Sequence, residues 1–338
     1  MSSGKNLSVV ITRQGGAEVL QQVEGEIPPV SPGQVRVKVL ATGVAYADVL
    51  MRRGLYPRVP KFPFAPGYDI VGEVESLGEG VKDFQLGQRV AALTMIGGYS
   101  QYAVVPAAHL VPVQAGLDPA EAVSLVLNYV TAYQMMHRIA KLREGQTMLV
   151  HSAAGGVGTA ALQLGRILGL RMFGTASKPK HELLRSLDAT PIDYRSDDFL
   201  EVTRQNVPAG VDCVLDPIGG TNWWKSYRCL NERGSLICFG AQAAVTQGKA
   251  VAALGFVLLG FMKALPGGRN ASWYNVKQLR DAKPDWFRED LSRLFELLSA
   301  RQIQPVIAGR FPLREAARAN ELLESAQIAG KLVLLPQD

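Results

Sequence analysis

The amino-acid sequence predicts an α/β protein, a small barrel-like β domain joined to a doubly wound parallel sheet. Three observations predict it. The first third of the 338 residues carries short apolar–polar alternations punctuated by Gly and Pro, the pattern of short antiparallel strands. From about residue 147, strand-like and helix-like runs alternate, which gives a parallel sheet covered by helices. The length itself exceeds what one hydrophobic core usually organises.

In chain order, residues 7–12 form the first strand. Val35-Arg-Val-Lys-Val39 alternates apolar and charged side chains with period two, as a half-buried strand does. Residues 70–75, 88–93 and 102–106 continue the theme, separated by Pro28-Pro29, Pro32-Gly33, Pro66-Gly67 and Gly97-Gly98. Asp118-Pro119-Ala120-Glu121 supplies an N-cap acid, a proline at the first helical position and a glutamate three residues after the cap. The helix it opens runs, with a break near Asn128, to about Arg143. Strands then fall at 148–152, 171–176, 191–194, 211–217 and 235–240, with a sixth at 272–276. Helices at 159–168 and 181–187 lie among them. The C-terminal part reads as helix 286–300, strand 306–311, helix 314–325 and strand 331–335.

Composition excludes several classes. A formal net charge of +6 suits an anionic ligand, and no basic run of five or more marks a nucleic-acid interface. Cys213, Cys229 and Cys238 follow no zinc spacing and read as buried thiols. Few cysteines and no signal peptide point to a reducing cytoplasm. The most apolar stretch, residues 250–262, is shorter than the roughly 20 residues of a membrane span. It reads as a buried helix facing a substrate pocket or a partner subunit, and no membrane partner is expected.

Residues 147–158, TMLVHSAAGGVG, run an apolar strand into a glycine-rich turn and then a helix. That context distinguishes a dinucleotide site from a plain glycine-rich turn. Ala154, Gly155, Gly156, Val157 and Gly158 form the turn, with Ala153 in place of the usual first glycine. Gly155 and Gly156 let backbone N–H groups approach a pyrophosphate, and Gly158 lets the helix pack on the strand. The second strand ends in Ser177-Lys178-Pro179-Lys180, and no acid appears until Glu182. A carboxylate there would hold the ribose hydroxyl of NAD. A hydroxyl and two ammonium groups favour NADPH instead, with Tyr194 and Arg195 flanking the adenosine.

Gly43-Val-Ala-Tyr-Ala-Asp48, Arg53-Gly-Leu-Tyr-Pro57, Pro66-Gly67, residues 83–90, 127–133 and 212–220, the Ala-Ala-Gly-Gly-Val-Gly turn, residues 234–240 and Gly330-Lys-Leu-Val-Leu334 carry a resemblance over essentially the whole chain. The sequence resembles the zinc-independent medium-chain dehydrogenase/reductases of the quinone oxidoreductase (zeta-crystallin-like) group. The resemblance implies a GroES-like catalytic β-barrel domain from both chain ends (1–126 and 302–338) around a Rossmann domain (127–301). The active site would lie in the cleft between them, and homodimers are common in this group. Zinc-using relatives carry a cysteine near position 45 and a histidine after the Pro-Gly; this chain has Ala45 and Tyr68. It also lacks a four-cysteine loop, so no metal is expected. His109, His137, His151 and His181 are scattered and read as structural.

By the same resemblance, Tyr56 stands where an active-site tyrosine lies near the nicotinamide, as a proton donor or as cofactor packing. Tyr46 and Tyr68 fall where metal-site residues would cluster and are expected in the substrate pocket. Thr131 resembles a threonine that contacts the nicotinamide carboxamide, Phe239-Gly240 lies where backbone approaches the ribose, and Lys331 resembles a lysine near the cofactor cleft. The implied reaction is hydride transfer from NADPH, without a metal, to a quinone. The alternatives are reduction of a 2-alkenal or enoyl-thioester double bond and, less favoured, a non-catalytic NADPH-binding role.

Overall fold

The computed structural model describes residues 5–57 and 59–338. The chain divides into two compact units, Met1–Val130 with Arg280–Asp338, and Thr131–Leu279. The sequence reading placed 280–301 with the nucleotide domain. Helix Pro284–Ser299 instead packs on segment Leu125–Tyr129 and strand Val111–Pro112 of the first unit, through a buried face that includes Phe287, Leu291 and Phe295. Amphipathic spacing shows that such a helix is half-buried but not what it is buried against.

The first unit is built on a mostly antiparallel sheet. Its spatial order is Ile307–Pro312, Lys331–Leu335, Gln34–Val44, Asp69–Leu77, Arg89–Leu93 and Val111–Pro112, with Tyr102–Pro106 also paired to Gln34–Val44. Alternate residues Val35, Val37 and Val39 enter one core with Ile70, Val74, Val90 and Val105, which is the period-two signal realised as packing. A two-stranded ribbon pairs Lys5–Ile11 with Leu20–Glu26. The second strand escaped prediction because only Leu20 of its seven residues is buried. The short helix Tyr46–Arg52 also escaped it. This is the GroES-like fold of the expectation.

The second unit holds six parallel strands in the order Ala189–Asp193, Arg171–Ala176, Thr147–Val150, Val211–Asp216, Leu230–Cys238 and Asn270–Trp273. By position in this unit the order is 3-2-1-4-5-6, the doubly wound arrangement with its switch point between Thr147–Val150 and Val211–Asp216. Leu149, Phe173, Val214, Trp223 and Leu236 belong to its core. All three cysteines are buried and free, as read. Helices Phe199–Asn206 and Asn222–Cys229 fill two further intervals of the expected strand–helix alternation.

Two elements depart from expectation in kind. The helical run after Asp118 is not simply broken at Asn128. It contains two π-helical segments, Leu125–Tyr129 and Gln134–Ile139, around one α-turn, Val130–Tyr133. The apolar stretch forms helix Lys249–Ala264, but it is not buried. Ala252, Gly255, Leu259 and Met262 face the core, while Leu254, Phe256, Val257 and Phe261 are exposed. Only one stripe of a single helix meets a flat sheet layer, whatever the other residues are. No helix among the described residues is long and apolar enough to cross a membrane.

Candidate active site

In the second unit, strand Thr147–Val150 feeds through His151 into helix Gly156–Ile167. This helix starts three residues earlier than predicted, so Gly156, Val157 and Gly158 form its first turn. Gly155 is the N-cap, without a side-chain hydrogen bond. The first-turn N–H groups have no intrahelical partner and, with the helix dipole, suit a phosphate oxygen. A Cβ at Gly158 would lie 2.5 Å from Ser152 O and 2.6 Å from Ala153 backbone. Only glycine lets the helix approach the strand so closely. Ala154 is buried beneath the turn.

At the end of strand Arg171–Ala176, Ser177 is buried, Lys178 exposed and Lys180 half-buried. Burial and then the Arg195 guanidinium push the Lys180 ammonium below its ordinary pKa. The Arg195 guanidinium stands 5.7 Å from the ring of Tyr194, which is more than half exposed. Asp193 and Asp197 are in the same turn, but their carboxylates accept the backbone N–H groups of Arg195 and Asp193. Thr131 is buried in the α-turn between the two π segments. Phe239 donates its N–H to Asp216 O, and a Cβ at Gly240 would come within 2.8 Å of Pro217 O.

One network was missed by sequence reasoning. His151 bonds Thr175 Oγ1 through Nδ1 and Ser226 Oγ through Nε2, both at 3.0 Å. Ser226 donates to Asp216 Oδ2 at 2.7 Å. Since the Ser226 proton goes to the carboxylate, Nε2–H must donate to Ser226, and a neutral ring then accepts the Thr175 proton on Nδ1. Asp216 also accepts from Ile218 N and Asn222 Nδ2. The chain ties the carboxyl ends of three adjacent parallel strands together where such sheets bind ligands. The available signal was a histidine placed between the first strand and the glycine turn.

In the first unit, Leu55 and Tyr56 N–H groups both bond Leu50 O, closing helix Tyr46–Arg52 and fixing Tyr56 just beyond it. Tyr68 is held by its carbonyl, which accepts Thr94 and Met95 N–H groups. The Tyr56 and Tyr68 hydroxyls meet at 2.8 Å. Burial first, then Tyr56, raises the Tyr68 hydroxyl far above its ordinary pKa, so it keeps its proton. Behind them Asp48 is buried, and its carboxylate accepts Ala45 N, Gly67 N and Tyr99 OH. Burial lifts its pKa to about 6, against the pull of the two N–H groups. At Gly67 φ is +107° and a Cβ would strike the Gly98–Tyr99 backbone, so the Pro66-Gly67 pair is a conformational requirement.

Tyr46 and Lys331 sit in other surroundings. Burial and Glu324 raise the Tyr46 hydroxyl to about 12, and Glu324 pairs with Arg52 and Arg53. Lys331 is buried and bonds Asp69 Oδ2 at 2.9 Å. The structure thus joins Tyr56 with Tyr68, places Tyr46 beside an ion-pair cluster, and commits the Lys331 ammonium to Asp69.

Residues 31–115 match the alcohol dehydrogenase GroES-like domain, and residues 187–334 match the family described as zinc-binding dehydrogenase. The mouse (Mus musculus) synaptic vesicle membrane protein VAT-1 homolog is 34% identical over 97% of this chain and 83% of its own length. The 2-haloacrylate reductase of a Burkholderia species is 34% identical over 98% of this chain and 99% of its own. Among solved structures, the Escherichia coli quinone oxidoreductase complexed with NADPH superposes with a TM-score of 0.87 at 28% identity, covering 98% of this chain and all of that one. The chain belongs to the medium-chain dehydrogenase/reductases, in their quinone oxidoreductase-like group. As a member of that oxidoreductase family it pairs a GroES-like unit with a Rossmann-like one. The zinc in the family description finds no group of three or more His, Cys, Asp or Glu side chains placed to hold a metal among the described residues. Asp48 and Asp69 are already engaged with backbone amides and with Lys331.

Proposed function

We propose that this oxidoreductase uses NADPH to reduce a quinone by hydride transfer without a metal. The reading rests above all on the 2.8 Å contact between the Tyr56 and Tyr68 hydroxyls. A substrate oxygen that meets the Tyr56 hydroxyl would have the charge that develops on it during reduction answered by two hydrogen-bonded phenols. The cofactor, when bound, supplies the hydride; the remaining proton of the quinol comes through Tyr56. A conjugated acceptor spreads negative charge onto its own oxygen, so a phenol can serve where a less activated carbonyl would require a Lewis acid.

The turn of Gly155, Gly156 and Gly158 would hold the pyrophosphate, and Lys180 with Arg195 the ribose phosphate that distinguishes NADPH from NADH. Burial depresses Lys180 first, and the Arg195 repulsion that adds to it is what an added phosphate would relieve. Thr131, Phe239 and Gly240 are proposed at the nicotinamide end. A second reading, reduction of an α,β-unsaturated acid or enal, is favoured by the relative named 2-haloacrylate reductase, which matches over nearly all of both chains.

The test is NADPH consumption with phenanthrenequinone, benzoquinone, hexenal, 2-chloroacrylate and crotonyl-CoA, with NADH as control. Quinone turnover supports the first reading, and activity confined to the alkenes selects the second. Tyr56→Phe should lower kcat roughly 100-fold if its proton is used in the transition state; a loss well under tenfold removes the phenol from that role. Lys180→Glu should raise the KM for NADPH at least roughly tenfold, by replacing an attraction with a repulsion, and leave that for NADH nearly unchanged.

A further inference from the structure

Helix Lys249–Ala264 turns an apolar face to solvent. Along its exposed side run Leu254, Phe256, Val257 and Phe261, with Ala253 and Gly260 between them. Polar side chains occur only toward the helix ends, as Lys249 and Lys263, both exposed. An apolar groove of about 320 Å³, lined by Thr221, Trp224, Leu254, Leu258 and Phe261, opens on the same face. Surfaces of this kind mark a partner that is itself apolar or has an apolar interior.

The charges choose between partners. From Arg233 to Lys277 the sequence contains five Lys or Arg residues (Arg233, Lys249, Lys263, Arg269 and Lys277) and no Asp or Glu. A second copy of this face, paired about a two-fold axis, would set lysine against lysine with no carboxylate from the helix to answer. The area also falls short. Sixteen residues make a helix roughly 24 Å long and about 10 Å wide, only a few hundred Å² per partner against the roughly 800 Å² of a stable protein interface. An anionic lipid surface meets neither objection. Its headgroups pair with the terminal lysines, and the acyl boundary takes the aromatic and aliphatic side chains.

We propose that helix Lys249–Ala264 is a docking surface for an anionic lipid bilayer, entering the headgroup–acyl boundary through Leu254, Phe256, Val257 and Phe261. The sequence reading excluded a membrane partner on length, but length excludes a crossing and not a surface contact.

The test is flotation of the full chain with phosphatidylcholine vesicles, with and without phosphatidylserine, at low and high salt. The expected result is binding to the anionic vesicles that weakens with salt. Val257→Ser with Phe261→Ser should lower the partition coefficient roughly tenfold or more through lost apolar burial. Lys249→Glu with Lys263→Glu should abolish the preference for phosphatidylserine. All substituted side chains are exposed or half-exposed at the surface, and an unchanged thermal midpoint confirms that each variant is folded. Failure of the wild type to float at low salt overturns the proposal, as does undiminished binding by the serine variant. A dimer in sedimentation that dissociates on the same serine substitutions, without vesicle binding, assigns the face to a second copy and overturns it too. None of these readouts uses NADPH or an acceptor, so the outcome is separate from that of the reductase assay.

Discussion

At the scale of single residues, His151 is the clearest case of chemistry set by surroundings. Burial lowers its pKa from the ordinary 6.5, Asp216 pulling the other way and Lys225 adding to the depression. The unfolded chain therefore binds the proton more readily than the folded one, and stability falls as pH drops below about 6.5. His151→Gln should lower the thermal midpoint at neutral pH by the equivalent of about 1–3 kcal/mol, through broken bonds to Thr175 and Ser226. It should also flatten the decline below about pH 6.5. A scanning-fluorimetry series in which both proteins keep the same acid slope would remove His151 from this role. Asp48 has the opposite sign. Its pKa is raised to about 6, so folding takes up a proton between about pH 4 and about pH 6 and the buried charge costs stability above that window. Tyr56 and the glycines were legible in the sequence because motifs mark them. The contact of Tyr56 with Tyr68 was not, because it depends on how a loop leaves helix Tyr46–Arg52. The His151 network was not, because its members come from separate strands and a helix, Thr175 and Ser226 lying 24 and 75 positions away.

At the scale of elements, the glycine turn and its helix were legible as a unit and displaced by one turn at the start. The shift has a chemical meaning for the proposed site, since it makes Gly156 to Gly158 the first turn of a helix, where amides without an intrahelical partner would meet a phosphate. Gly158→Ala should weaken NADPH binding at least roughly tenfold and cost about 1–3 kcal/mol in stability, because the added methyl meets Ser152 and Ala153 backbone. Isothermal titration and thermal unfolding would measure both; unimpaired binding would mean that the helix can slide away at no cost. Strand Leu20–Glu26 was invisible because pairing with Lys5–Ile11, not burial, makes it a strand. The two π segments were invisible for another reason: their apolar spacing differs from that of an α-helix by a fraction of a residue per turn. Helix Lys249–Ala264 was found and misplaced, since apolar composition alone does not distinguish a buried helix from one that exposes what it would ordinarily hide.

At the scale of the whole molecule, the strand alternation predicts a doubly wound sheet, and the structure adds its 3-2-1-4-5-6 order; the unit boundary at Arg280, against 302 in the sequence reading, moves one helix. Each unit has its own core, so ligand binding should act on them unequally. Three of the four tryptophans, Trp223, Trp224 and Trp273, lie in the second unit, and tryptophan fluorescence reports mainly that unit. NADPH at about 100 times its Kd should stabilise the tryptophan-monitored transition by about 2.7 kcal/mol. An equal midpoint with and without NADPH in urea would count against binding by the folded unit. The order of strands also bears on how the chain is made. Lys331–Leu335 lies inside the first unit's sheet, between Ile307–Pro312 and Gln34–Val44, and pairs its Leu332, Val333 and Leu334 with Val44, Gly43 and Thr42. A nascent chain leaving the ribosome therefore completes all six strands of the Rossmann-like sheet while the sheet begun first still has an open seam. Until the last residues emerge, the Thr42–Val44 end of strand Gln34–Val44 presents an unpaired edge, while Gln34–Lys38 is already paired with Tyr102–Pro106; an open edge is the form of strand that recruits other chains. Synthesis halted shortly before residue 331 would give a product with a finished Rossmann-like unit and an aggregation-prone remainder.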